Sequence, residues 1–131
     1  MTTVFVYGTL KRGHSNWQRL LQDRSEFLGE ALSISANYAM LDGGFPKAFE
    51  CANGHPIFGE LFEINVDILR HDLDLLEGHP NWYQRKRRMF RLADGTKRQA
   101  WIYLMRPERV PPEQPVMTPV RGTLAWPAVS H

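Results

Sequence analysis

Apolar positions in this chain run in short segments separated by turn residues. Thr3-Val4-Phe5-Val6-Tyr7 is β-branched and aromatic throughout and stops at Gly8, which predicts a buried strand feeding a glycine loop. Asn16 to Asp23 has the composition of a short helix. Residues 25 to 50 read as strands broken by turns, the clearest break being Asp42-Gly43-Gly44-Phe45-Pro46. Ile57 to Ile64 alternates and predicts another strand. Tyr83 to Leu92 and Lys97 to Leu104 flank Asp94-Gly95, a strong hairpin signal. Strands dominate and do not alternate regularly with helices, so the class is α+β rather than a doubly wound sheet.

The best helix runs from Val66 to Glu77, with Asn65 as N-cap and Gly78 and Pro80 closing it. On a wheel of about 100° per residue, Val66, Leu69, Leu73 and Leu76 form one apolar stripe. Asp67, Asp72 and Asp74 fall outside it. Glu77 falls on it, and is the one acid of the helix expected to point inward. Burial raises a carboxyl pKa, and the negative end of the helix dipole adds to the effect. A carboxylate raised toward neutrality can both accept and return a proton. The alternatives at this stage are an ion pair with an arginine such as Arg85, or a frayed helix end.

After Leu104 the pattern breaks. Six of the nine prolines lie beyond it, from Pro107 to Pro127. Proline fixes φ and lacks a donor, so this tail, from about residue 106, is expected to wrap the surface without regular helix or inner strand. The 131 residues and 43% apolar content fit a single domain with one core.

Composition narrows the function. The lone Cys51 cannot form an internal disulfide. No apolar run approaches the roughly 20 residues that span a bilayer, and the N-terminus lacks a signal-peptide pattern. A soluble, cytoplasmic protein without a membrane partner is the expectation. The net charge of +2 does not imply nucleic acid, yet seven of the 16 Lys and Arg residues fall between Arg85 and Arg98. On a strand, Arg85 and Arg87 face one way and Lys86 and Arg88 the other, which splits the patch and argues against a nucleic-acid partner. The five histidines show no paired metal spacing, so no metal is expected. No Gly-x-Ser-x-Gly elbow marks a serine hydrolase.

The loop Gly8-Thr9-Leu10-Lys11-Arg12-Gly13-His14-Ser15 lets a ligand approach backbone N–H groups, which suits an anion. His14 stands where a P-loop needs lysine, so nucleotide binding is a near miss. A plain strand-to-helix turn would need the same glycines.

Val6-Tyr7-Gly8-Thr9-Leu10-Lys11-Arg12-Gly13 resembles the N-terminal signature of the γ-glutamylcyclotransferase-like (AIG2-like) proteins, closest to the γ-glutamylamine cyclotransferases. Gly59-Glu60-Leu61-Phe62, Leu76-Glu77 followed by Tyr83-Gln84-Arg85, and Ala100-Trp101-Ile102-Tyr103 resemble three further signatures, in order, from about residue 4 to 105. The Pro-rich tail departs from the pattern. The resemblance implies a small β-barrel with flanking helices. It implies that Tyr7, Gly8, Thr9 and Leu10 hold the amino-acid end of a small γ-glutamyl substrate, with Tyr83 and Tyr103 lining or supporting the pocket. It implies Glu77 as general acid/base in a cofactor-free release of 5-oxoproline from a γ-glutamyl amine or γ-glutamyl amino acid. The competing reading is a non-enzymatic ligand-binding or interaction protein on the same fold. The leaving amine and the oligomeric state are not legible in the sequence.

Overall fold

In the computed structural model, which describes residues 1–41, 46–113 and 115–126, seven strands form a closed barrel and a separate hairpin. The strands are β1 (Thr2–Val6), β2 (Ser25–Ser33), β3 (Tyr38–Leu41), β4 (Lys47–Glu50), β5 (Phe58–Ile64), β6 (Tyr83–Leu92) and β7 (Lys97–Met105). Barrel order is β1-β5-β2-β6-β7, and β3 pairs with β4. Every barrel pairing is antiparallel except the closure of β1 on β7, which is parallel through Val4↔Trp101 and Phe5↔Ile102. The predicted 42–46 turn lies outside the described residues except for Pro46. No helix is long and apolar enough to cross a membrane.

Alternation along β1 and β7 builds two cores, because successive side chains face opposite ways. Phe5, Ala100, Ile102 and Leu104 pack with Leu61, Phe90 and the β3–β4 residues Tyr38, Met40 and Ala48. Val4, Val6 and Tyr103 pack the other way, against Leu21, Leu69 and Leu73 of the helical segments. Each such side chain contributes roughly 1.5–3 kcal/mol when fully buried.

The predicted helix at residues 16–23 is one π-wound turn, α1 (Trp17–Leu21). The second helix, α2, covers residues 66–77. Asn65 starts it, its side-chain Oδ1 accepting the Asp67 N–H at 2.9 Å. Its middle, Ile68–Leu73, is π-wound, and only Asp74–Glu77 is α-helical. The wider winding turns less per residue than the wheel assumes. Two expectations change as a result. Val66 is 38% exposed while Ile68 is buried, and Asp74 turns inward beside Glu77.

Asp94-Gly95 makes the expected hairpin, with Gly95 at φ +90° and the Leu92 N–H on the Thr96 carbonyl at 2.8 Å. On β6 the basic run divides as alternation requires. Arg85 and Arg87 both lie over the Trp101 ring, and Lys86 and Arg88 both bond Glu50 Oε1. The tail does more than wrap. The Met117 N–H donates to the Met40 carbonyl at 2.6 Å, Leu124 bonds the chain at Pro56 and Phe58, and both side chains enter the core.

Candidate active site

Strand β1 ends at Val6, and Tyr7 opens the glycine loop. The loop is tied on three sides. The Gly8 carbonyl accepts the Lys11 N–H at 2.9 Å, closing a tight turn. The Thr9 carbonyl accepts the N–H groups of Asn16 and Trp17, and the Asn16 side-chain amide donates to Thr9 Oγ1 at 2.7 Å. From beneath, the buried Glu60 accepts the Arg12 N–H at 2.7 Å and Arg12 Nε at 3.2 Å. From the tail, the Trp126 carbonyl accepts Lys11 Nζ, and the Trp126 ring lies 5.0 Å from that of His14.

Gly59 explains how Glu60 reaches this place. A Cβ at residue 59 would lie 2.4 Å from the Val6 carbonyl and 2.6 Å from the Phe5 ring. Only a glycine lets β5 come this close to β1 and carry the next carboxylate under the loop. Gly8 is similarly tight, since a Cβ there would meet Pro46 at 2.4 Å.

Glu77 is held at a defined helix end and does not fray. The His79 N–H returns to the Asp74 carbonyl at 2.9 Å and the Gly78 N–H to the Leu75 carbonyl at 3.3 Å, with Gly78 at φ +65°. This is the Schellman pattern that glycine favours at a helix C-terminus. Glu77 is half-buried and takes no cation among the described residues. Arg85 pairs instead with Asp74, Nε lying 2.9 Å from Oδ1. Burial pushes the Glu77 carboxyl up to about 7.

Glu77, Tyr7, Gly8, Thr9, Leu10, Tyr83 and Tyr103 all line one cavity of about 320 Å³, together with Phe5, Val6, Asn16, Pro46 and Leu76. No lysine, arginine or histidine is among these lining residues, and neither is any described residue of the tail. Burial, followed by the charges of Tyr83 and Glu77, raises the Tyr7 phenol. Burial raises Tyr83 and Tyr103 too, Glu77 adding to each. All three phenols are therefore neutral donors at physiological pH. The Tyr7 hydroxyl donates to the Tyr103 carbonyl at 2.6 Å, and the Tyr103 hydroxyl to Asp74 Oδ1 at 2.5 Å.

The sequence reasoning missed Asn16, Pro46, Asp74 and the work of Glu60. Asp74 carried a misleading signal, because a uniform wheel turns it outward. Among the described residues no three His, Cys, Asp or Glu side chains come together as a metal site.

Comparison with known proteins places this geometry among relatives. The profile of the family described as gamma-glutamyl cyclotransferase, AIG2-like, matches residues 4–121, reaching into the Pro-rich tail. A Methanocaldococcus jannaschii protein provisionally named a gamma-glutamylcyclotransferase is 36% identical over 103 residues, covering 79% of this chain and 83% of its own. The gamma-glutamylaminecyclotransferase of Bos taurus is 37% identical over 93 residues, which is 66% of this chain and 55% of the bovine one. The crystal structure of an AIG2-like protein from Mus musculus superposes with a TM-score of 0.74 at 29% identity, over 86% of this chain and 81% of that one.

Proposed function

The chain belongs to the gamma-glutamyl cyclotransferase, AIG2-like family and is a cyclotransferase-type enzyme, and from that premise we propose that it releases 5-oxoproline and a free amine from a γ-glutamyl amine, with Glu77 carrying the proton. The observation behind this reading is the position of Glu77. A half-buried carboxylate raised to about 7, with no cation partner among the described residues, opens on the same cavity as the Tyr7–Leu10 loop.

The substrate brings its own nucleophile. Its α-amine nitrogen attacks the γ-carbonyl carbon, a C–N bond forms, and the five-membered lactam closes. Glu77 takes the proton the amine sheds. It delivers that proton to the leaving nitrogen as the original amide C–N bond breaks, so atoms and charge balance and Glu77 returns to its starting state. Near neutrality such a group is present in both forms, as both half-steps require. Holding the chain folded supplies much of the acceleration, since well-oriented intramolecular attack reaches very high effective molarity.

The amides of Gly8, Thr9 and Leu10 are suited to grip the α-carboxylate, because backbone N–H groups in a glycine loop favour an anion. The cavity lining holds no cation for a second carboxylate beside the scissile bond. That supports a γ-glutamyl amine over a γ-glutamyl α-amino acid.

The test is 5-oxoproline release from a panel of γ-glutamyl amines and γ-glutamyl amino acids. Glu77→Gln should lose at least roughly 10²-fold, the usual worth of a general acid/base. Activity within a few-fold of wild type would remove Glu77 from the role, and a preference for amino-acid leaving groups would overturn the substrate assignment.

A further inference from the structure

We propose that Asp74 is a positioning residue of this site, pinning Tyr103 and through it the last turn of α2, which presents Glu77 to the cavity. The proposal rests on the role of Glu77 given above. Asp74 lies three residues before Glu77, and its side chain is only 13% exposed. One carboxylate there gathers three elements. It belongs to α2, it accepts Arg85 Nε of β6 at 2.9 and 3.2 Å, and it accepts the Tyr103 hydroxyl of β7 at 2.5 Å. Arg85 is itself fixed, its guanidinium 4.4 Å above the Trp101 ring.

Tyr103 extends the chain of contacts to the substrate loop. Its ring lines the cavity, and its carbonyl takes the Tyr7 hydroxyl. Arg85, Asp74, Tyr103 and Tyr7 thus run in series from β6 through the helix to the start of the glycine loop.

Two observations separate Asp74 from an ordinary helix acid. Asp72, two residues earlier, pairs with Arg24 at the surface. Asp74 gives up most of its hydration, which costs free energy unless the bonds it makes are good and fix something. Glu77, by contrast, has no side-chain partner among the described residues, so its aim depends on the turn that carries it. The groups facing it are Tyr7 from the end of β1, Tyr83 from β6 and Tyr103 from β7, with Asp74 on its own helix neutralised by Arg85.

The decisive experiment needs no substrate. The Glu77 carboxyl is titrated by ¹³C NMR in wild type, Asp74→Asn and Tyr103→Phe. If Asp74 holds the turn through Tyr103, both variants release Glu77 toward water. Its midpoint then falls from about 7 toward the ordinary value near ~4.3. A midpoint that stays at the wild-type value in the folded variants overturns the proposal. Should Asp74→Asn fail to fold, Tyr103→Phe decides alone, since it removes one hydroxyl and no charge.

Kinetics then give a second reading on any γ-glutamyl amine that wild type turns over. Each variant should lose roughly 10²-fold in kcat, the order expected for a misplaced catalytic group. KM should stay within a few-fold, and the double variant should be no worse than either single one. Losses that multiply, or that appear in KM alone, count against the proposal. A wild type inactive on every γ-glutamyl compound would refute the assigned reaction, and the titration would still judge Asp74.

Discussion

Tyr7 and Tyr103 come from opposite ends of the sequence and meet in one buried bond, the Tyr7 hydroxyl donating to the Tyr103 carbonyl at 2.6 Å. The bond joins the glycine loop to the seam where β1 closes on β7. Tyr7→Phe keeps the ring and removes the donor. It should cost roughly 1–3 kcal/mol of stability, the range for disturbing a buried hydrogen bond. It should also raise KM, since the loop that receives the substrate starts at this residue. Urea denaturation beside Michaelis kinetics checks both, and a variant unchanged in both would show the bond to be idle.

The rate should follow the ionisation of Glu77. A general base must be ionised in the free enzyme, so kcat/KM should climb with pH and level off above about 7, where burial has placed this carboxyl. The residual activity of Glu77→Gln should show no such limb. A wild-type profile flat from pH 5 to 8 would contradict the assignment.

Stability should move the opposite way. The folded-state pKa of Glu77 is raised from 4.5 to about 7. Its contribution is therefore full below about 4.5 and lost as pH rises through about 7. The shift corresponds to roughly 3 kcal/mol at 1.36 kcal/mol per unit. Glu77→Gln, which never ionises, should be more stable than wild type at pH 8.5 by up to about that amount, and similar to it at pH 4.5. Denaturation curves at the two pH values test the sign as well as the size.

Gly59→Ala should be among the most damaging single substitutions in the barrel. The new methyl would sit 2.4 Å from the Val6 carbonyl, and backbone cannot yield as a side-chain tip can. Overpacking of this kind costs about 1–3 kcal/mol or more. Because Glu60 follows directly, activity should fall along with the melting temperature. Unchanged thermal unfolding would show that β5 and β1 can separate.

Local signals carried much of this structure. The β1 strand, its stop at Gly8, the Asp94-Gly95 hairpin and the Gly78 helix end all appear where short-range chemistry puts them, since each depends on a few adjacent residues. The seven residues singled out for the site line a single cavity, six of them through a family resemblance and Glu77 through the helical wheel as well. Two features were not legible. The π-winding of α2 is a response to packing, and a uniform wheel therefore misplaces Val66, Ile68 and Asp74. The prolines of the tail say what it cannot form and nothing about where it docks, so the burial of Met117 and Leu124 had no signal. The split of the basic run on β6 was legible because alternation alone dictates it, whereas Glu50, which receives Lys86 and Arg88, lies on a different sheet.

The parallel closure of β1 on β7 has a consequence for the life of the protein in a crowded solution. A sheet with a terminal strand offers a row of unused donors and acceptors on which another chain can template, the common first step toward fibrils. Here β1 bonds to β5 on one side and β7 on the other, so the ring has no terminal strand. The smaller sheet is guarded too, with β3 bridged at Leu41 to Val116 of the tail and at Tyr38 to His55. A chain whose tail carries six prolines thus uses that segment as a bumper along an edge that would otherwise invite self-association.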